Sequence, residues 1–557
     1  MSKQHGGNVG AEIVDVESSN IHEIPIDKKD VDQINFDAAK ATEAEHNMSL
    51  WQGLKLYPKA VGWSVLLSAA IIMEGFDIVL IANLFAVPAF KKQFGHQLLD
   101  GTYELSTSWQ TGLTNGAVVG ELLGLMINGW IADRFGYKKT MIGALLGVNF
   151  LIFILFFANN VEQLLAGLVL IGIPWGVFQT LTTTYAAEVC PVALRAYLTT
   201  YVNLCWVIGQ FLASAVLKAV ATREDQWAYR IPYALQWIWP IPLIIGISFA
   251  PESPWWLVRK GRLDDAKKML LRLTSSNQLE SFNADETVAM MVQTNEMEKA
   301  ASESTGYLDC FKNTDLRRTE ICAVVWLIQV FCGSGFMGYS TYFYLQAGLD
   351  TSNAFTMSLV QYSLGAVGVF CSWALISRFG RRTLYLGGLV MLCVLLLLIG
   401  CLGIISKNNI SAQWAIGSML LAYTFIYDAS VGPVCYSLVA ELSSTRLRQK
   451  TVVIARNLYN VGGLINNVLT PNMLNPSAWN WGAKSGFFWA GMCFLCIVWC
   501  YFRLPEPKDR TYGELDVLFE HKISARKFAS ASVDTLTGSI EVIDQKDKIS
   551  VQHIEKA

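Results

Sequence analysis

Charge is what this chain has least of. Only 16% of its 557 residues are charged while 53% are hydrophobic, and soluble proteins carry about 25% charged residues. The shortfall argues against an ordinary soluble domain and fits a chain solvated largely by lipid. A net charge of −2 gives no electrostatic reason to bind nucleic acid. Histidine is scarce. The six, His5, His22, His46, His96, His521 and His553, all fall in predicted tails or loops, so no imidazole is expected within the membrane. The twelve cysteines, among them Cys190, Cys205, Cys371 and Cys500, lie mostly in apolar stretches without zinc or disulfide spacing. They read as small packing residues. No nucleotide, metal or nucleophile motif occurs, so neither an enzyme nor a cofactor is expected. The N-terminus is polar and acidic with no apolar h-region, which predicts no cleaved signal peptide.

What the chain does have is length of apolar sequence. A spanning helix needs about 20 mostly apolar residues. Twelve stretches qualify, at 61–85, 109–131, 139–158, 163–187, 197–220, 231–250, 320–345, 354–376, 383–404, 412–438, 450–471 and 483–503. The expected fold class is therefore an all-α membrane protein of twelve transmembrane helices. The expected division is a tail at 1–55, a six-helix bundle at 56–250, a middle segment at 251–319, a second six-helix bundle at 320–504 and a tail at 505–557. Lysine and arginine crowd the loops after the second, eighth and tenth stretches (Arg134, Lys138, Lys139; Arg378, Arg381, Arg382; Arg446, Arg448, Lys450) and the middle segment. The positive-inside rule places those loops and both termini in the cytoplasm. Both tails read as disordered from their polarity. The helical periodicity at 263–270 predicts short surface helices in the middle segment. Asn409-Ile410-Ser411 is a glycosylation sequon on a predicted outside loop.

The two halves repeat one another. Glu188-Val-Cys-Pro-Val-Ala-Leu-Arg195 returns as Glu441-Leu-Ser-Ser-Thr-Arg-Leu-Arg448, 253 positions later. Pro251-Glu252-Ser253-Pro254 returns as Pro505-Glu506-Pro507, and Arg134-Phe135-Gly136 as Arg378-Phe379-Gly380. Repeats of this length mark a duplicated domain, and paired half-repeats in an apolar chain point to a site between the halves. Asp133, Arg134, Glu188, Arg195, Glu441 and Arg448 are expected to form a cytoplasmic gate. Arg134 and Arg195 would bridge to the facing bundle when that side is closed. Positive-inside anchoring alone would not explain the duplicated acids, because acids add little to orientation.

These doubled motifs, with Gly129-Trp-Ile-Ala-Asp133-Arg134-Phe-Gly136 between the second and third stretches, resemble those of the major facilitator sugar porters over about 60–505. Two positions depart from that pattern: Trp255 replaces the usual arginine after Pro254, and Ser377 replaces an aspartate. Gln236-Trp-Ile-Trp-Pro-Ile-Pro242, Gly338-Tyr-Ser-Thr-Tyr-Phe-Tyr344 and Trp479-Asn-Trp-Gly-Ala-Lys-Ser-Gly-Phe-Phe-Trp489 resemble, more closely, the fungal maltose and general α-glucoside permeases. The resemblance implies proton-coupled uptake of α-linked disaccharides across the plasma membrane, by a monomer whose partners are sugar, proton and lipid bilayer. It also places Asp428 with the inner charge network.

Ionisable groups inside spanning segments are costly and are functional candidates by default. Glu74 and Asp77 share a face of the first stretch. Glu121 lies in the second, Asp428 in the tenth and Arg456 in the eleventh. Four carboxylates face one arginine, and burying uncompensated charge costs several kcal/mol per ion. The less costly state has some of the acids protonated, which is what symport requires. Sugar porters often pair the helix-one aspartate with a helix-four arginine, but Leu168 stands there. The α-glucoside permeases share that lack and carry charges at the positions of Glu74, Asp77, Glu121 and Arg456. The resemblance therefore assigns proton coupling to this quartet.

Sugar hydroxyls need donors and acceptors, and ring faces favour aromatic walls. Asn203, Gln210, Gln236, Gln329, Tyr339 and Tyr459 are the candidates, with Ser334 where hexose carriers commonly have asparagine. Three alternatives remain open: a facilitative carrier, a carrier of hexoses or β-linked disaccharides, and a sugar sensor.

Overall fold

The computed structural model describes residues 36–38, 40–41, 43–45, 47–85, 87–97, 103–220, 223–276, 282–301, 306–346, 349–405, 409–444, 447–474, 478–508, 510, 512–534 and 539–542. Arg446, four of the six histidines (His5, His22, His46 and His553) and the remainder of both tails lie outside them.

Among the described residues, twelve long helices build the membrane body. The first six are α1 (Pro58–Leu84), α2 (Thr107–Phe135), α3 (Tyr137–Phe156), α4 (Val161–Val189), α5 (Val192–Val220) and α6 (Trp227–Ser248). The second six are α7 (Asn313–Gly338), α8 (Ser352–Phe379), α9 (Arg381–Ile405), α10 (Ile410–Leu442), α11 (Arg448–Leu474) and α12 (Gly482–Arg503). Ten are both long and apolar enough to cross a membrane. The two that fall short in apolarity, α2 and α11, have ample length at 29 and 27 residues. They carry Glu121 and Arg456, and they pack against each other across the interface between the halves. Lipid therefore sees little of their polar faces, and protein contacts take over its role as solvent.

The pairings repeat under a pseudo-twofold axis. In the first half α1 packs on α5, α2 on α4, and α3 on α4 and α6; in the second α7 packs on α11, α8 on α10, and α9 on α10 and α12. The inter-half contacts α2–α11 and α5–α8 exchange under the same operation. Outward faces carry large apolar side chains such as Phe150, Val394, Leu398 and Phe494, as a lipid-facing belt should.

Close backbone approach sets the first half. A Cβ on Gly120 would lie 2.0 Å from the Val169 carbonyl oxygen, and one on Gly172 would lie 2.2 Å from that of Ala117. Glycines four residues apart thus let α2 and α4 touch along their backbones. The α1–α5 contact is built the same way at Gly75 and Gly209.

Parts of both polar tails, expected as disordered, are helical among the described residues. Helix Leu50–Leu56 begins at a Ser49–Gln52 capping box, and Ala38 and Ala41 are buried. At the other end helix Tyr512–Glu520 docks under the second bundle. Arg318 pairs with Asp516 and stands 4.5 Å over the Phe519 ring, and Leu515, Leu518 and Phe528 are buried. Local apolar residues inside a polar composition were the missed signal. The middle segment holds helices Pro254–Arg259, Leu263–Leu273 and Ala284–Ala301.

Candidate functional site

Between the halves lies a cavity of about 190 Å³. Three helices of each half line it: α1, α2 and α5 on one side, α7, α10 and α11 on the other. Cross-half bonds join the two halves on either side of it. Toward the face carrying helices Leu50–Leu56 and Tyr512–Glu520, Lys450 Nζ meets Asp133 Oδ2 at 3.1 Å and Trp373 Nε1 donates to Thr200 Oγ1 at 2.8 Å. Toward the opposite face, Asn467 Nδ2 donates to Asn115 Oδ1 at 3.1 Å.

Two lining helices are broken. In α7 the backbone leaves helical geometry at Gly333, with φ 100°, a left-handed conformation that glycine adopts without penalty. In α10 the helix is interrupted at Ser430, ahead of Pro433. Gln329 Nε2, one turn before the first break, donates to the Gly432 carbonyl beside the second at 2.9 Å.

On the cavity wall, α11 presents a polar stripe, Arg456, Asn460, Gly463 and Asn467, with Tyr459 and Asn466 flanking it. The spacing of three and four residues marks one helical face and is visible in the sequence, where Arg456 and Tyr459 are the candidates it holds. The Arg456 guanidinium is held in an aromatic cage, 4.2 Å from the Tyr459 ring, 4.5 Å from Trp326 and 5.4 Å from Trp206. Such stacking holds a buried cation without neutralising it.

Gln179 on α4, absent from the sequence candidates, joins the embedded charges. Its Nε2 donates to Glu74 Oε1 and to Glu121 Oε2, the latter at 3.0 Å. Its Oε1 accepts from Arg456 Nε at 2.8 Å. Arg456 approaches the Glu74 carboxylate only to 4.0 Å. A glutamine among apolar and threonine neighbours gave no sequence signal of this role, because its three partners come from α1, α2 and α11.

The structure brings Glu74, Glu121 and Arg456 together and leaves Asp77 apart. Asp77 is bonded by Gln236 Nε2, and neither lines the cavity. Gln236, expected as a sugar contact, sits in the 3-10 turn Gln236–Ile238 of α6 and bonds Asp77 of α1. Asn203, Gln210, Gln329, Ser334, Tyr339 and Tyr459 do line the cavity. So does Asp428, expected with the inner charge network: it sits mid-way along α10 and accepts a bond from Asn203 Nδ2 at 3.1 Å across the halves.

The duplicated motifs act mainly within each half. Glu252 caps α3, accepting from the Tyr137 N–H at 2.9 Å, and Glu506 caps α9, accepting from the Arg381 N–H at 2.9 Å. A carboxylate at a helix N-terminus meets unpaired N–H groups and the positive end of the dipole. Gly136 (φ 88°) and Gly380 (φ 79°) precede these helices, and a Cβ there would lie 2.5 and 2.6 Å from the capping carboxylates. Burial pushes the Glu252 carboxyl above its ordinary range, opposed by those N–H bonds.

Glu441 pairs with Arg381 at 3.0 Å. The position equivalent to Arg381 is Tyr137, whose hydroxyl donates to Glu188 Oε1 at 3.0 Å. The cation for Glu188 comes instead from Arg259, at 2.9 Å. Arg259 lies one helical turn after Trp255, where sugar porters usually carry an arginine. Glu188 and Glu441 hold helix ends together within their halves, and Arg134 stacks on Trp130 and Phe135 of its own helix. Asp133 reaches across to Lys450, and Arg195 acts electrostatically on Glu441 across the halves. Arg448 is buried at the start of α11.

Comparison with known proteins agrees with this architecture. Residues 63–519 match the family described as "Sugar (and other) transporter". A general alpha-glucoside permease of Saccharomyces cerevisiae is 44% identical over 502 residues, covering 89% of this chain and 81% of the permease. A maltose permease of the same organism is 41% identical over 537 residues, covering 94% and 87%. Among solved structures, the proton:xylose symporter XylE bound to 6-bromo-6-deoxy-D-glucose superposes with a TM-score of 0.70 at 20% identity, covering 83% of this chain and 99% of XylE. The partially occluded inward-open form of the Escherichia coli xylose transporter gives 0.65 at 18% identity, covering 82% and 99%. The shared fold, the cavity between two six-helix halves and the extent of these matches have one conclusion: this multi-pass membrane protein belongs to the sugar (and other) transporter family.

Proposed function

We propose that the chain imports α-linked glucosides of the maltose type across the plasma membrane, together with protons, by alternating access. The observation that carries this reading is the buried Glu74–Glu121–Gln179–Arg456 cluster, which reaches the cavity wall through Glu121 and Arg456. Two carboxylates with one guanidinium in a low-dielectric site favour one bound proton over two negative charges. Tyr459, Trp206 and Tyr436 supply aromatic walls, and Asn203, Gln210, Gln329, Asn460 and Asp428 supply donors and acceptors. The names of the permease relatives support the α-glucoside assignment.

The lysine and arginine bias assigns the face carrying helices Leu50–Leu56 and Tyr512–Glu520 to the cytoplasm. On that assignment Asp133–Lys450 closes the inner side and Asn115–Asn467 the outer. Small-molecule pockets occupy about 300–1,000 Å³, so a cavity of about 190 Å³ corresponds to a contracted state that a disaccharide enters by parting one of these contacts. The membrane potential contributes about 2.3 kcal/mol per proton per 100 mV, which drives uptake uphill. One chain holds the whole cavity, in keeping with a working monomer.

The test is uptake of a panel of labelled disaccharides by cells lacking other α-glucoside carriers, with external pH recorded. Maltose-type uptake with alkalinisation of the medium is expected. Uptake without any pH change would make the chain a facilitative carrier, and sugar responses without uptake would make it a sensor.

A further inference from the structure

We propose that Gln179 is the positioning residue of the proton site, and that its amide keeps Arg456 from pairing directly with Glu74 or Glu121. The inference rests on the proton-coupled reading above. A glutamine side chain offers two N–H donors and one carbonyl. Here both donors go to carboxylates, Glu74 Oε1 and Glu121 Oε2, and the carbonyl accepts from Arg456 Nε at 2.8 Å. The amide therefore occupies the place where guanidinium and carboxylate would otherwise meet.

That arrangement has a chemical consequence. Arginine and carboxylate prefer a direct, two-point pair, and a carboxylate locked in such a pair stays ionised and carries no proton. With the amide between them the nearest guanidinium–carboxylate distance is 4.0 Å. Glu74 keeps one buried oxygen, Oε2, without a hydrogen-bond partner. A bare ionised oxygen there is costly, whereas a proton on that carboxyl removes the charge. Glu121 reaches the cavity wall and Glu74 does not, so one amide links a carboxyl open to the cavity with one behind it. Among the described residues, the other ionisable groups acting on this cluster are Asp77, one turn along α1, and Cys435, Tyr436 and Tyr459 from the second half.

The fold holds the amide in place by backbone contact. Gly176 of α4, three residues before Gln179, lies against the Glu121 carbonyl, where a Cβ would approach to 2.4 Å. The Gln179–Arg456 bond also crosses from α4 to α11, joining the two halves at the level of the proton site. Rearrangement of the halves thus acts on the same bond that spaces the charges.

The test uses the full chain in cells, with Gln179→Leu and the exchange Glu74→Gln/Gln179→Glu. The exchange keeps the groups and the formal charge, but places a carboxylate where Arg456 Nε now meets an amide. Accumulation against a gradient, sugar counterflow, alkalinisation and surface quantity are measured for each. Loss of a charge-assisted hydrogen bond predicts that accumulation falls about ten- to hundredfold relative to counterflow, and that its dependence on external pH flattens. If Gln179→Leu fails to reach the membrane, the exchange variant decides. Wild-type accumulation and pH dependence in either variant would overturn the assignment. If instead the wild type itself produces no alkalinisation, the coupling reading fails and not the Gln179 assignment alone.

Discussion

Replacing Arg259 by alanine tests how the duplicated acid motif works. In the second half Glu441 takes its cation from Arg381, the residue that follows Gly380. In the first half the equivalent residue is Tyr137, and Arg259 supplies the charge from the helix after α6. Breaking a buried ion pair from one side costs about 3–5 kcal/mol when the partner is left unpaired. Two facts reduce that figure here. The Arg259 side chain is 27% exposed, and Glu188 retains the Tyr137 hydroxyl at 3.0 Å and the Ser253 hydroxyl at 2.5 Å. A loss of about 1–2 kcal/mol is expected, or about 5- to 30-fold in the equilibrium that this contact biases. Initial uptake rate per molecule at the cell surface is the assay. Tyr137→Arg should rescue Arg259→Ala, because it recreates the geometry of Arg381, whose Nη2 reaches Glu441 Oε1 at 3.0 Å. A wild-type rate in Arg259→Ala, or a double variant no better than the single, would refute the reasoning.

Other outcomes follow from the same geometry. Gly176→Ala forces a Cβ to 2.4 Å from the Glu121 carbonyl and should destabilise by about 1–3 kcal/mol. Gly143→Ala has no atom within 4 Å and should not destabilise, gaining up to about 1 kcal/mol of helix propensity; thermal unfolding of the purified protein compares them. Gln329→Ala should raise the transport KM and Gln236→Ala should leave it unchanged, since only Gln329 lines the cavity; equal KM shifts for both would contradict this placement. Exchanging Asp133 and Lys450 should restore much of the rate lost on replacing either, with single losses near or below about 1 kcal/mol because the pair is partly exposed. Glu121→Gln should abolish accumulation while some counterflow persists, and a variant that still concentrates sugar would remove Glu121 from the coupling site.

The expected fold was largely legible because lipid imposes a simple rule: every span needs length and apolarity. Even so, α2 and α11 fall short of that apolarity, and their place in the body depends on being covered by each other. Composition misled at the ends of the chain, where a few apolar residues such as Leu515 and Phe519 suffice to dock a polar segment against the bundle. The site was legible in its charges, since Glu74, Glu121 and Arg456 are conspicuous in apolar surroundings. Its connecting residue was not.

The doubled acid–arginine motif illustrates the same division. Sequence alone determined that the chain has two related halves, that cationic loops crowd one face, and that a few ionisable groups lie buried between them. These are one-dimensional properties of period, composition and spacing. Only the tertiary structure decided who partners whom. It placed Asp428 at the cavity, paired Gln236 with Asp77, gave Glu188 to Arg259, and set Gln179 between Arg456 and two carboxylates. Each of those contacts joins residues tens to hundreds of positions apart, and the pairing energy of a hydrogen bond or ion pair depends on distances of a few ångströms that helix packing fixes.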